Sequence, residues 1–252
     1  GGGGGTGGGG GVGGAGGAGG MAAEVLYQQD FDTLGLTDAG VLTNDGWLVF
    51  GNVFDGGGNS LNPYGPFGAP NGGQGFSALV ELQGGPGRDP NQLSVYNDYG
   101  CCQPNLGHFA GTQLVESSVF QEPFPNTPGE RISSAEIGKT FTFSFEAKRG
   151  NINSATDPKC ISGGPDESVN PPCDSTALAY IQTLDPNASF NRTNFVEIDM
   201  TSIPDTWDNY SISLPLTDPL LEGQILQFGF RSVANAFEPS GIVYDNVLAV
   251  LE

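Results

Sequence analysis

From Trp207 to the end, the chain consists of three short alternating runs separated by polar breaks: Tyr210-Ser-Ile-Ser-Leu, Leu226-Gln-Phe-Gly-Phe-Arg and Gly241-Ile-Val-Tyr-Asp-Asn-Val-Leu-Ala-Val. A period of two sends successive side chains to opposite faces, so these runs read as antiparallel strands. Nowhere does a helical period persist beyond about two turns. Clusters such as Asn44-Asp-Gly, Asn62-Pro-Tyr-Gly-Pro and Gly84-Gly-Pro-Gly break helices and supply turns with positive φ. The chain is therefore read as all-β.

Further strand-like runs lie at 25–32, 47–50, 76–82, 92–96, 112–120, 140–147, 177–183 and 194–199. About ten short strands with no internal repeat predict a single β-sandwich of the jelly-roll type with long Gly/Pro/Asn-rich loops. One long loop is expected over 51–75, and another over 150–175. The folded unit is placed at 24–252, a size that one sandwich commonly reaches. Sixteen Phe residues supply a substantial core.

Residues 1–23 are set apart. The first 20 contain only Gly, Thr, Ala and Val. They fit an engineered tract, a stand-in for unread residues, or an arm ordered by contact with a neighbouring molecule. Met21-Ala-Ala-Glu resembles the small-residue end of a bacterial secretory signal, so a secreted or cell-surface protein is expected.

Charge narrows the partners. Eight Lys and Arg stand against 28 Asp and Glu, a formal net charge of −20. Such a surface repels phosphate backbones, which argues against nucleic acid. It suits hard divalent cations, calcium above all. No apolar run approaches the length of a membrane span. Four cysteines, an even number, fit an oxidising compartment. Cys160 and Cys173 flank a Gly/Pro/Asp-rich loop that packing alone would not shape, so a bridge between them is expected. Cys101 and Cys102 are adjacent, and they are either bridged as a rigid knuckle or reduced.

Asp245-Asn246 interrupts the last apolar run. An acid there must be paired, hydrated or bound to a cation, because a bare buried carboxylate is costly. Sugar recognition needs exposed rings backed by amides and carboxylates. Tyr64, Phe67, Tyr96, Asn97 and Tyr99 offer that combination in or beside the long loops. Trp47 and Trp207 lie in strand patterns and read as core.

Catalytic patterns are thin. The single histidine, His108, has no Gly-x-Ser-x-Gly elbow to serve. The Gly-rich segments lack the Lys-Ser/Thr of a phosphate loop. A glycan-active pair of carboxylates stays open as a minor alternative.

Three blocks, in order, resemble carbohydrate-binding modules with a galactose-binding-like jelly roll. They are Asp30-Phe-Asp with Asp45-Gly-Trp47 and Phe50-Gly, then Lys139-Thr-Phe-Thr-Phe-Ser-Phe-Glu-Ala-Lys, then Trp207-Asp-Asn-Tyr-Ser, Phe228-Gly-Phe-Arg and Val243-Tyr-Asp-Asn-Val. The blocks cover both ends of 24–251 and leave 55–135 and 150–175 unmatched. The resemblance implies a structural calcium clasping the first strand to the last, with Asp245 and Asp30 as ligands and Asp32 as a further contributor. It also implies a secreted, non-catalytic module for glycan or extracellular matrix. The alternative is a structural subunit of a filament, surface layer or matrix, a homo-oligomer joined through the N-terminal arm.

Overall fold

A computed structural model describes residues 23–55, 57–72, 76–84, 90–97, 114–124, 131–152, 175–235 and 240–252. The elements run β1 (Glu24–Gln29), α1 (Val41–Asn44), β2 (Leu48–Phe54), β3 (Tyr64–Gly68), β4 (Ser77–Glu81), β5 (Asn91–Val95), β6 (Leu114–Gln121), β7 (Thr140–Arg149), β8 (Thr176–Asp185), β9 (Asn191–Asp199), β10 (Asp208–Pro215), β11 (Ile225–Asn235) and β12 (Ile242–Leu251). They form two six-stranded antiparallel sheets. One is ordered β10-β7-β12-β5-β4, with β1 also on β12; the other is ordered β3-β2-β6-β11-β8-β9. The expected β-sandwich is observed.

Alternation decides which residues meet between the sheets. In β7, Phe141, Phe143, Phe145 and Ala147 are buried, while Thr142, Ser144 and Glu146 face the other way. In β11, Phe228 and Phe230 point inward. The ring centres of Phe143 and Phe228 lie 4.9 Å apart, and Phe230 stacks on Tyr244 at 3.6 Å and on Trp47 at 6.1 Å. Each such ring stabilises the fold by about 1.5–3 kcal/mol through burial alone. Trp47 is fully buried, as its strand position predicts, whereas Trp207 is half-buried under the Lys148 ammonium.

The first strand is tied down by a carboxylate. Asp45, in the turn after α1, accepts hydrogen bonds from the Tyr27 hydroxyl at 2.5 Å, Gln29 Nε2 at 2.8 Å and Trp47 Nε1 at 3.1 Å. Burial, and then the Asp45 charge beside it, raises the Tyr27 phenol far above its ordinary range. The Asp45-Gly-Trp47 block is thus a strut between β1 and β2.

The loop expected over 51–75 is corrected. β2 continues to Phe54, and β3 pairs with it through Leu48↔Gly68, Val49↔Phe67 and Gly51↔Tyr64. The sequence Tyr64-Gly-Pro-Phe-Gly hides a strand because Pro66 donates no ladder bond and is tolerated only at a sheet edge, where β3 lies.

Candidate binding groove

In β11 the residues alternating with the buried Phe228 and Phe230 are Gln227, Gly229 and Arg231, so they face away from the core. The register carries that face across the sheet. Gly229 lies between Phe120 of β6 and Tyr180 of β8, Gln227 opposite Gln182, and Arg231 opposite Ser118. The resulting outer surface holds a groove of about 530 Å³, an ordinary size for a small-ligand site. Rings and aliphatic groups line its two ends, with Phe50 and Pro66 towards β3 and Leu184, Ile225 and Phe190 towards the β8–β9 turn.

Its middle is polar and internally ordered. Gln182 Nε2 donates to Gln227 Oε1 at 2.7 Å, and Gln227 Nε2 donates to Glu122 Oε1 at 2.7 Å. This relay of two amides runs from β8 through β11 and ends on a carboxylate just past β6. Each amide keeps a second N–H beyond the one used here. Beside the relay, Arg231 Nε donates to Ser118 Oγ at 2.9 Å, and its Nη1 lies 3.6 Å from Glu116 Oε2. The guanidinium also sits 5.2 Å from the Tyr180 ring and 5.6 Å from the Phe195 ring. Burial pushes the Tyr180 phenol up to about 12, against the pull of the Arg231 charge. Burial likewise raises the Glu122 carboxyl, opposed by the Gln227 bond.

None of the described residues singled out from sequence for sugar recognition lines this groove. Tyr64 is half-buried, and its ring covers Gly51, where an added Cβ would sit 2.2 Å from the ring. It stacks on Phe67 at 6.5 Å and meets Phe76 at 5.6 Å. These rings close the sandwich edge between β3 and the start of β4. Phe67 remains 41% exposed. Tyr96 is half-buried, its N–H on the Phe76 carbonyl at 3.1 Å.

Asn97, a candidate ligand contact by sequence, is placed as an interior strut. It is buried; its N–H donates to Ser240 Oγ at 2.8 Å, its Nδ2 donates to the Ser232 carbonyl at 2.8 Å, and its Oδ1 accepts from the Ser117 hydroxyl. Its polar atoms are consumed where β6, β11 and the approach to β12 converge. Tyr99, His108, Cys101, Cys102, Cys160, Cys173 and the tract 1–22 lie outside the described residues.

The metal set is only partly assembled. β1 pairs with β12 through Gln29↔Val247, which brings the chain at Asp30 alongside Asn246. Asp245 is fully buried, and its Oδ1 accepts the Asn246 N–H at 2.7 Å. A bulge between Asp245 and Leu248 turns Asn246 outward, φ 48°, so that its Nδ2 donates to Glu146 at 2.7 Å. Asp30, by contrast, is exposed, with its Oδ1 on the Asp32 N–H at 3.2 Å. Among the described residues there is no group of three or more His, Cys, Asp or Glu side chains that could hold a metal ion. The trio Asp30, Asp32 and Asp245 therefore does not form a three-carboxylate site. Calcium takes roughly six to eight oxygens, and here most would have to come from main-chain or amide carbonyls and water.

No protein-family model and no curated protein matches the sequence. Solved structures of similar fold include carbohydrate-binding modules. The CBM22-2 xylan-binding domain from Paenibacillus barcinonensis is similar at 9% identity and a TM-score of 0.44, over 90% of this chain and 99% of that one. A Stig cyclase from Fischerella sp. TAU, in complex with an indole, is similar at 14% identity and 0.45, over 92% and 98%. The enzymatically active domain of tailspike protein 4 from bacteriophage CBA120 gives 10% and 0.43, over 89% of this chain. The chain spans only 21% of that tailspike domain.

Proposed function

We propose that the groove on the outer face of β2, β6, β11 and β8 binds an uncharged polysaccharide chain, and that the protein performs no chemistry on it. The observation that carries this reading is the Gln182–Gln227–Glu122 relay, a row of planar amide and carboxylate groups flanked at both ends by rings. Sugars need that pairing, because hydroxyls at the ring rim seek planar donors and acceptors while the C–H faces seek aromatic surface. A net charge of −20 and two acids in the groove disfavour anionic chains.

Each groove acid is held by a partner rather than left to do acid–base work: Glu122 accepts from Gln227 Nε2 at 2.7 Å. Glu116 is engaged with Arg231. Action outside the cell and a calcium resting on Asp245 and carbonyl oxygens belong to the same proposal.

Calorimetric titration with neutral oligosaccharides tests the reading. Wild type is expected to bind, Gln227→Ala to lose about tenfold or more in affinity, and Tyr96→Ala to bind as wild type. Binding that survives Gln227→Ala and disappears in Tyr96→Ala would move the site to the loops and sink the groove.

A further inference from the structure

The turn from β8 to β9 carries a bulky ring where the backbone favours none. After the tight turn at Pro186–Ala188, Ser189 and Phe190 both take left-handed conformations, with φ of 57° and 58°. The Phe190 N–H donates to the Asp185 carbonyl at 2.9 Å, and the Asp185 carboxylate accepts the Asn187 N–H at 2.8 Å. Two successive left-handed residues in a hairpin connection suit Gly, Asn or Asp, because a Cβ there crowds the following carbonyl. Phenylalanine is locally uphill at this position. Its ring is 59% exposed, so burial offsets little of that cost. Residues held against local preference cluster at functional sites. This ring lines the groove at the end where Leu184 and Ile225 face each other across β8 and β11.

We propose that Phe190 is the stacking platform of the groove, seating one pyranose ring of an uncharged polysaccharide by its C–H face and selecting sugars whose ring hydroxyls are equatorial. The inference rests on the glycan reading above and adds a residue and a substrate class to it. Equatorial hydroxyls leave axial C–H bonds on the flat faces of the sugar, an apolar surface that matches an exposed ring. The hydroxyls then radiate sideways, towards the second N–H groups of Gln182 and Gln227. An axial hydroxyl puts an oxygen on one of those faces, which weakens the stack there. A uronic acid brings a second penalty, since its carboxylate meets Glu116 and Glu122.

The experiment is calorimetric titration of the full chain with cellohexaose, mannohexaose and hexagalacturonate, together with thermal unfolding, for wild type, Phe190→Trp, Phe190→Asn and Gln227→Ala. Wild type is expected to prefer cellohexaose over mannohexaose and to ignore hexagalacturonate. Phe190→Trp keeps the affinity, because any ring serves as the platform. Phe190→Asn loses about tenfold or more in affinity while its Tm holds or rises, since asparagine relaxes the turn. A structural cover would behave in the opposite way, so a lower Tm in Phe190→Asn overturns the platform. Wild-type affinity in Phe190→Asn, alongside loss in Gln227→Ala, overturns the platform and leaves the glycan reading standing. Equal affinity for cellohexaose and mannohexaose overturns the selectivity. A wild type that binds none of the oligosaccharides overturns both.

Discussion

Burial holds the Glu122 carboxyl above the ordinary carboxylate range, and the bond from Gln227 opposes that rise. A raised folded-state value means that the folded protein retains the proton where the unfolded chain has released it. Stability from this group is therefore complete below the unfolded value and is lost as pH rises through the folded one. Glu122→Gln keeps an acceptor for Gln227 and removes the charge. We expect the variant to be more stable than wild type at neutral pH and equal to it in mild acid, as read by urea unfolding at both. A variant less stable at neutral pH would mean that the carboxylate is needed in its charged form. At this scale the sequence was least informative. Glu122, Gln182 and Gln227 are ordinary polar residues in strand patterns, and no spacing along the chain joins them. Their only trace was the alternation around Gln227-Phe-Gly-Phe-Arg231, where three outward positions are Gln, Gly and Arg.

Between β6 and β11 the groove depends on a missing side chain. A Cβ on Gly229 would sit 2.2 Å from the Val119 carbonyl oxygen and 2.6 Å from the Phe120 Cα, both backbone atoms that move only with the strand. Gly229→Ala is expected to destabilise by about 1–3 kcal/mol, seen as a lower urea midpoint with an unchanged slope. It should also weaken ligand binding, since Gly229 separates Phe120 and Tyr180 in the groove floor. An Ala variant with wild-type midpoint would show that the strands part without cost. At this scale most strands were legible, because period-two alternation and Gly/Pro punctuation are local signals. β3 was not legible, because an edge strand containing Pro66 lacks the composition that marks a strand. The positive φ of Phe190 had no signal either, since phenylalanine is the residue a turn rule would exclude.

Over the whole molecule the first and last strands are closed together, β1 on β12, with the buried Asp245 beside that seam. If calcium rests there, adding it raises Tm, EDTA lowers it, and Asp245→Asn abolishes both responses. Thermal unfolding that ignores calcium and EDTA would show that protein hydrogen bonds alone satisfy Asp245. The resemblance set the first strand against the last, and β1 pairs with β12; of its blocks, Val243-Tyr-Asp-Asn-Val lies in β12 and Asp30-Phe-Asp follows directly on β1. The three-carboxylate geometry did not follow. Asp30 and Asp32 flank the inward-pointing Phe31, and Asp30 ends up exposed, bonded to the Asp32 N–H.

By itself the sequence determined that the chain is a β-sandwich, that its Phe-rich strand faces make the core, and that it carries a formal net charge of −20. These follow from period, punctuation and charge, which are properties of neighbouring residues or of the sum. Only the tertiary structure decided where a ligand could lie. The amide relay joins residues more than a hundred positions apart in the chain, Glu122 and Gln227, through strand register. Of the expected loop rings, Tyr64 and Phe67 pack with Phe76 at the edge between β3 and the start of β4, because apolar surface at the open side of a sandwich is satisfied first by its own sheets.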